Sequence, residues 1–342
     1  MQSGNIVAAP GSVDLARPII ERAERADGSS PVSDQAMLAA AQGQRELLVF
    51  YPAEAGSAGS AGGEPGEPVA VGVLGQGELD LVVDPAARGR GVGTAALRAM
   101  LQRPAAPAPA NTAAASTAAG SDARGDIEAG AQGGAGLLAW AHGENPAATA
   151  LLGGAGFRAV RSLFRMALDP SLLPPADSDP FGVALPDGFE LRTFGSPDDA
   201  AAWVAVNARA FASHPEQGRV TLADFALMRE EPWFDPADLF LLAAPGDRGL
   251  AGFTWVKTLR GGERTETELY AIGVDPDQAG HGLGRALLDV TLARMAQHGP
   301  ERVTLYVDGE NERAVRMYEA AGFTIDSRST QWKGLGGIQL PE

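Results

Sequence analysis

Val274–Leu288 reads VDPDQAGHGLGRALL, and Val83–Leu97 reads VDPAARGRGVGTAAL. Both run from a Val-Asp-Pro break into a Gly-x-Gly pair, Gly91 and Gly93 in the first and Gly282 and Gly284 in the second, so the chain repeats itself. Around the second pair, Leu269 to Val274 is a β-favouring run that Asp275-Pro276 ends, and Leu283, Leu287, Leu288, Leu292 and Met295 mark one face of a helix. The order is strand, glycine turn, helix. Glycines at the mouth of a helix let the backbone approach an anion closely, and the unpaired N–H groups of the first turn, with the helix dipole, favour negative charge there. A tight turn with no ligand carries the same local signature. Neither copy ends in the Gly-Lys-Ser/Thr of a Walker A loop, and neither has the third glycine of the dinucleotide fingerprint.

Further along, Val303-Thr-Leu-Tyr-Val307 predicts another strand. Asn311 then caps a helix with Ala314, Val315 and Tyr318 on one face, and Gly322 stops it. This segment is also repeated: Gly143–Phe157 (GENPAATALLGGAGF) answers Gly309–Phe323 (GENERAVRMYEAAGF). Strands alternating with helices predict an α/β or mixed α+β fold. Asp84 to Phe157 spans 73 positions against 48 from Asp275 to Phe323. The excess coincides with residues 103–136, mostly Ala, Pro, Gly, Ser and Thr, which predict a disordered insertion. A proline-rich tract at 169–187 predicts an interdomain linker, giving domains 1–168 and 188–334 and a tail at 335–342.

Composition narrows the function classes. A net charge of −16, from 43 acidic and 27 basic residues, argues against nucleic-acid binding. Without cysteine there is no disulfide framework, thiolate zinc site or cysteine nucleophile, and the four histidines have no metal-ligand spacing, so no metal is expected. No stretch reaches the length of a membrane span and the N-terminus lacks a secretory pattern, so the chain reads as soluble, untargeted and cytoplasmic. A monomer acting on a small molecule is expected.

Arg88-Gly-Arg-Gly-Val-Gly93 and Ala279-Gly-His-Gly-Leu-Gly284, each after a strand, resemble the acetyl-CoA motif of the GCN5-related N-acetyltransferases, Arg/Gln-x-x-Gly-x-Gly/Ala. The second copy replaces the leading Arg/Gln by Ala279. The two Gly-Glu-Asn…Ala-Gly-Phe segments resemble the same family's C-terminal motif. The resemblance implies two tandem acetyltransferase domains, each a mixed central sheet flanked by helices, using acetyl-CoA as co-substrate. It implies that the first copy holds acetyl-CoA through Leu81, Val82, Val83, Gly89, Arg90, Gly91, Val92, Gly93 and Thr94. In the second copy the implied contacts are Ile272, Gly273, Val274, Ala279, Gly280, His281, Gly282, Leu283, Gly284 and Arg285, with Asn311, Glu312, Arg313, Ala314, Val315 and Arg316. Arg88 and Arg90 stand where the second copy has Ala279 and His281, and guanidinium pairs better with phosphate than neutral imidazole does, so the first site is expected to be the tighter.

Among tandem members the chain is most similar to the mycothiol synthase family, which acetylates the cysteinyl amine of cysteine-glucosamine-inositol. The carrying segments are Asn207–Gly218 (NARAFASHPEQG), Glu231–Pro236 (EPWFDP), Gly252–Lys257 (GFTWVK), Leu305–Val307, Ala314–Tyr318 (AVRMY) and, early on, Pro31–Gln35 (PVSDQ). The resemblance assigns Asp34, Glu216, Lys257, Glu268 and Tyr306 to that acceptor, with Asp34 standing where the family usually has Glu. Expulsion of a thiolate from a thioester is helped by a nearby phenol, and Tyr318 is the expected general acid. A core tyrosine is the alternative reading of its helical spacing. Aligning Gly322 with Gly156 puts Leu152 in that place in the first copy, so only the second copy is expected to be catalytic. Glu268, at the start of the strand feeding the glycine turn, is the expected base, with Glu266 as its rival and a solvated strand end as the other reading of this charge run. Lys257 shares strand parity with Phe253 and Trp255 and either lines a pocket or marks a strand end. Another small-molecule amine acetyltransferase, or a non-catalytic acyl-CoA-binding module, would share these motifs.

Overall fold

The computed structural model describes residues 6–53, 66–103, 136–212, 217–246, 249–261 and 264–336. Nearly all of the expected insertion, most of the tail, and Glu216 lie outside the described residues. Two compact units divide the chain: Met1–Arg161 with Ser329–Glu342, and Ser162–Arg328. Among the described residues no helix is long and apolar enough to cross a membrane.

The first unit contains β1 (Ile6–Pro10), α1 (Val13–Asp27), α2 (Asp34–Ala41), β2 (Glu46–Pro52), β3 (Ala70–Gly75), β4 (Glu78–Val83), α3 (Val92–Leu101), β5 (Leu138–Ala141) and α4 (Pro146–Gly154). β6 (Phe157–Leu168) starts in the first unit and ends in the second. The second unit continues with β7 (Glu190–Thr193), α5 (Asp199–Ala210), α6 (Leu222–Met228), β8 (Leu239–Ala243), β9 (Leu250–Gly261), β10 (Arg264–Val274), α7 (Leu283–His298), β11 (Arg302–Asp308) and α8 (Glu312–Glu319). β12 (Thr324–Gly334) starts there and ends in the first unit.

In the first unit the strands run β1-β2-β3-β4-β5-β12, and in the second β7-β8-β9-β10-β11-β6. Neighbours are antiparallel except for one parallel junction in each, β4 with β5 and β10 with β11. The closing strands are exchanged between the repeats. β12, which follows α8, sets Thr330 opposite Ala141, whereas β6, which follows α4, sets Leu168 opposite Val303. An antiparallel strand needs only an alternating pattern, which either partner satisfies, so nothing local in the sequence marks the exchange. The 169–187 tract lies inside the second unit, where the Ser178 carbonyl accepts from Gln297 Nε2 at 2.9 Å and Phe181 packs on Phe240 with centroids 5.6 Å apart.

Each sheet buries both faces. In the second unit Val256, Leu269, Val303, Leu305 and Val307 pack with Leu288, Leu292 and Met295 of α7 and Tyr318 of α8. On the opposite face Trp203 of α5 stacks on Phe225 of α6 at 4.4 Å and meets Phe253 and Trp255 of β9 edge-on at 5.4 and 5.5 Å. Truncating any of these buried aromatics to Ala should cost about 3–5 kcal/mol. The first unit repeats the plan, with Leu48, Phe50 and Leu79 against α3 and α4, and Val49, Val71, Val73 and Val82 against α1 and α2.

Candidate active site

β10 and β11 pair in parallel from Glu266 opposite Arg302 to Leu269 opposite Leu305, where the described register ends. Beyond that point β10 continues to Val274 along β9, and β11 continues to Asp308 along β6. The two strands therefore part into a fork, one arm of which carries Ile272, Gly273 and Val274. A register shift between Leu269 and Ala271 makes Tyr270 the extra residue of a bulge at the point of parting. β4 and β5 part in the same way after Leu79 opposite Ala139, leaving Leu81, Val82 and Val83 on the free arm.

Each fork leads to its glycine turn, and the aspartate of Val-Asp-Pro builds that turn. Asp84 Oδ1 accepts from the Ala86 amide and Asp275 Oδ1 from the Asp277 amide, both at 2.9 Å. An arginine from an earlier helix fixes each carboxylate, Arg22 of α1 at 2.7 Å and Arg209 of α5 at 2.7 Å. The Arg209 hydrogen bond holds the Asp275 carboxyl below its usual range. Gly91 (φ 79°) and Gly282 (φ 76°) then cap α3 and α7 in the left-handed region with no side-chain capping bond. A Cβ on Gly282 would meet nothing within 4 Å. The conformation demands glycine, and the open space leaves the first-turn N–H groups approachable, which fits the pyrophosphate of acetyl-CoA.

The remaining motif residues divide between approach and packing. Val92 and Leu283 are buried, and a Cβ on Gly93 or Gly284 would lie 3.4 Å from Leu151 or 3.6 Å from Met317, so these glycines set how closely α3 and α7 approach α4 and α8. Gly89, Arg90, Gly280 and His281 are exposed, with Thr94 half-buried. Ala279 ends the turn, and Arg285 is paired with Asp289 at 3.0 Å. Asn311 accepts from the Ala314 amide at 3.1 Å and Glu312 pairs with Arg316 at 3.0 Å, so these side chains serve α8 itself, while Ala314 and Val315 pack on the core and Arg313 is exposed. Arg88 departs from expectation. Its guanidinium makes a forked pair with Asp27 at 2.6 and 2.8 Å and donates from Nε to the Val83 carbonyl, so it fastens α1 to the turn.

Three of the expected acceptor residues share one face of the second sheet. Lys257 of β9 lies directly across from Glu268, and Glu268 lies beside Thr304 of β11, two residues before Tyr306. Lys257 is 8% exposed, with Nζ 5.0 Å from the Trp233 ring centroid and 5.5 Å from that of Tyr270. Tyr306 keeps 40% of its surface exposed, and its phenol is pushed up first by desolvation and then by the Glu268 charge, against a lowering by Arg165. Glu266 instead lies 3.8 Å from Arg302 in an exposed pair. Asp34 opens α2 in the first unit and is not among the residues gathered on this face. Glu216 lies outside the described residues, although next to it Asn207 Nδ2 donates to the Gln217 carbonyl at 2.7 Å.

Tyr318 belongs to the opposite face, in the core below the fork, and burial pushes its phenol well above the usual value. It is 5% exposed, as is Leu152 of the first unit, so the two copies bury the same helical position and differ by the hydroxyl-bearing ring. Register also reveals an equivalence missed in the sequence. Glu78 lies across from Gly75 and beside Leu138, as Glu268 lies across from Lys257 and beside Thr304. The extra residue at the Tyr270 bulge puts the two carboxylates out of step in a linear alignment. Glu78 is held in an ion pair by the buried Arg45.

The Acetyltransferase (GNAT) family matches residues 203–323, within the second unit. Proteins named mycothiol acetyltransferase are similar over nearly the whole chain. The one from Thermobispora bispora is 39% identical, with 92% of this chain and 93% of the relative covered. That from Frankia alni is 37% identical with 94% and 92% covered, and that from Geodermatophilus obscurus 37% with 95% and 94%. Among solved structures, a GCN5-related N-acetyltransferase from Sphaerobacter thermophilus superposes with a TM-score of 0.60 at 20% identity, covering 98% of this chain and 97% of that one. A tandem GNAT protein from the clavulanic acid biosynthesis pathway gives 0.60 at 17%, covering 96% and 98%. Those two likenesses speak for the fold. The full-length relatives speak for more, and with two glycine-turn forks on a mixed sheet they make this chain an acetyltransferase that belongs to the mycothiol acetyltransferase family.

Proposed function

We propose that this enzyme transfers the acetyl group of acetyl-CoA to the cysteinyl amine of cysteine-glucosamine-inositol, and that the second unit does the chemistry while the first supports it. The observation that carries the reading is the meeting of Lys257, Glu268 and Tyr306 on one face beside the β10–β11 fork, with Tyr318 on the other face of the same sheet. A fork lets groups from both faces address one thioester. Acetyl-CoA, held at the Gly282 turn, supplies the activated acetyl group. Glu268 takes a proton from the attacking amine, directly or through water, and Tyr318 gives one to the departing thiolate. Burial favours the protonated phenol, so Tyr318 is ready as a donor at neutral pH. Lys257, Tyr306, Asp34 and Glu216 bind the acceptor in this reading. The first unit keeps its glycine turn but has Leu152 in place of the phenol, and its carboxylate Glu78 is already engaged by Arg45.

The test is acetyl-CoA turnover with cysteine-glucosamine-inositol against unrelated amines, following CoA by chromatography because this acceptor carries its own thiol. A kcat/KM at least a hundredfold higher for cysteine-glucosamine-inositol is expected. Equal use of simple amines would replace this acceptor by another, and no turnover with any amine would reduce the chain to a binding module.

A further inference from the structure

Arg165 lies on β6, the strand that the first repeat contributes to the second sheet, directly across from Tyr306 in the β6–β11 register. Its guanidinium is within hydrogen-bonding reach of the Tyr306 phenol oxygen, and its Nε donates to Asp326 Oδ2 of β12 at 2.7 Å. Asp326 also faces Arg302 at 3.5 Å, and Arg302 faces Glu266 at 3.8 Å. Alternating charges thus run along the edge of the acceptor face, and Arg165 is the member that touches an expected acceptor residue.

Arginine carries only donors. When it donates to a phenol oxygen, that oxygen acts as acceptor in the bond and its own proton points elsewhere. Besides Arg165, Tyr306 has Glu268 and Arg302 as charged neighbours, and it keeps two-fifths of its surface open. A phenol oriented in this way presents a fixed donor to a hydroxyl or carbonyl of a bound molecule, whereas a freely rotating one offers either role. Fixed donors discriminate best where a polyhydroxylated ligand must seat in one pose.

We propose that Arg165 is a positioning residue for the acceptor, holding Tyr306 as a hydrogen-bond donor beside Glu268, so that a strand from the first repeat sets acceptor recognition by the second. The proposal rests on the reading of cysteine-glucosamine-inositol as the acceptor and adds to it a residue that acts through another. Asp326, paired to the same guanidinium, keeps the fork of Arg165 in register with the phenol.

The experiment is a double-mutant cycle of Arg165→Met and Tyr306→Phe, read as kcat and KM for acceptor and for acetyl-CoA. It is joined by phenol titration of ring-labelled tyrosine by NMR, with the Tyr306 signal identified by its loss in Tyr306→Phe. Arg165→Met should raise the acceptor KM about tenfold and leave the acetyl-CoA KM unchanged. The double variant should match Tyr306→Phe alone, and the Tyr306 phenol should titrate at higher pH once its donor is gone. A purely structural role for Arg165 would make the two losses multiply and shift both KM values, which overturns the proposal, as does an unmoved phenol titration. If Arg165→Met proves unfolded by its melting curve, Arg165→Leu, which likewise removes the charge and the donors, enters the same cycle with the same two criteria. A wild-type enzyme inactive with this acceptor would overturn the functional reading, and the titration would then decide the Arg165–Tyr306 assignment alone.

Discussion

Tyr318→Phe separates chemistry from packing more cleanly than any other single change in this protein. The residue is 5% exposed and packs edge-on against Phe323 with centroids 6.0 Å apart, so phenylalanine keeps the ring, its contacts and the apolar area it buries. Stability at neutral pH should therefore change by no more than about 1 kcal/mol. Calorimetric affinity for acetyl-CoA should hold, because the glycine turn is built by other residues. Loss of the proton donor should lower kcat about a hundredfold, equivalent to about 2.7 kcal/mol in the barrier and the lower end of what general acid catalysis contributes. The pH dependence adds a second reading. The folded phenol keeps its proton above the value at which the unfolded chain releases its own, so its stabilising contribution is complete below about pH 10. Above that it is lost at about 1.4 kcal/mol per pH unit until the folded phenol itself ionises. Tyr318→Phe should flatten that alkaline decline in chemical denaturation and lower kcat at pH 7 in the same protein. A variant that flattens the decline but keeps more than half of the wild-type kcat would make Tyr318 a core tyrosine and nothing else.

Leu152→Ala, at the equivalent position of the first unit, should cost about 2–5 kcal/mol of stability in denaturant titration and leave kcat within a factor of two; a hundredfold loss in folded protein would end the division of labour between the units. Gly282→Val forces a β-branched residue to φ near 76° and fills the space above the first-turn amides, so turnover should vanish, while Gly91→Val should remove one acetyl-CoA site in calorimetry and spare most activity. The reverse pattern would put the active unit in the other half. Asp199 is 2% exposed. Burial raises its carboxyl, but the Arg192 side chain and the Gly195 and Ser196 amides outweigh that and hold it below the usual range, so its contribution is present above about pH 4 and lost as pH falls through the lowered value. Asp199→Asn should cost about 2 kcal/mol at pH 7 in urea melts, narrowing as pH falls below about 4; a pH-independent loss would refute the charge argument.

The glycine turns were readable because their signal is local: a strand, a proline break and a left-handed glycine must all lie within fifteen residues. The closing Gly-Glu-Asn helices were readable for the same reason, with Asn145 and Asn311 capping as their positions suggest. What escaped was set by distance or by register. The exchange of β6 and β12 depends on pairings such as Thr330 with Ala141, which no window of sequence contains. Glu78 was hidden by one bulged residue in the other copy, and Arg165 by belonging to the wrong repeat. Arg88, whose motif position pointed to phosphate, is bound to Asp27, a residue with no motif of its own. Local chemistry announces a cradle; it does not announce which side chains are already occupied.

The exchanged strands also set an order in time. β12 is made after every other strand described, yet it pairs with β5, whose residues were made long before. At about 5–20 residues per second, the interval between Ala141 and Thr330 is of the order of ten to forty seconds. Throughout it β5 lacks one of the two neighbours it has in the finished protein, and an unpaired strand edge is a template for another chain. In the second sheet the order is reversed, since β6 is made first and waits for β11. The half that is born first is therefore the half that finishes last, and in a crowded polysome β5 stays open along that side until β12 emerges.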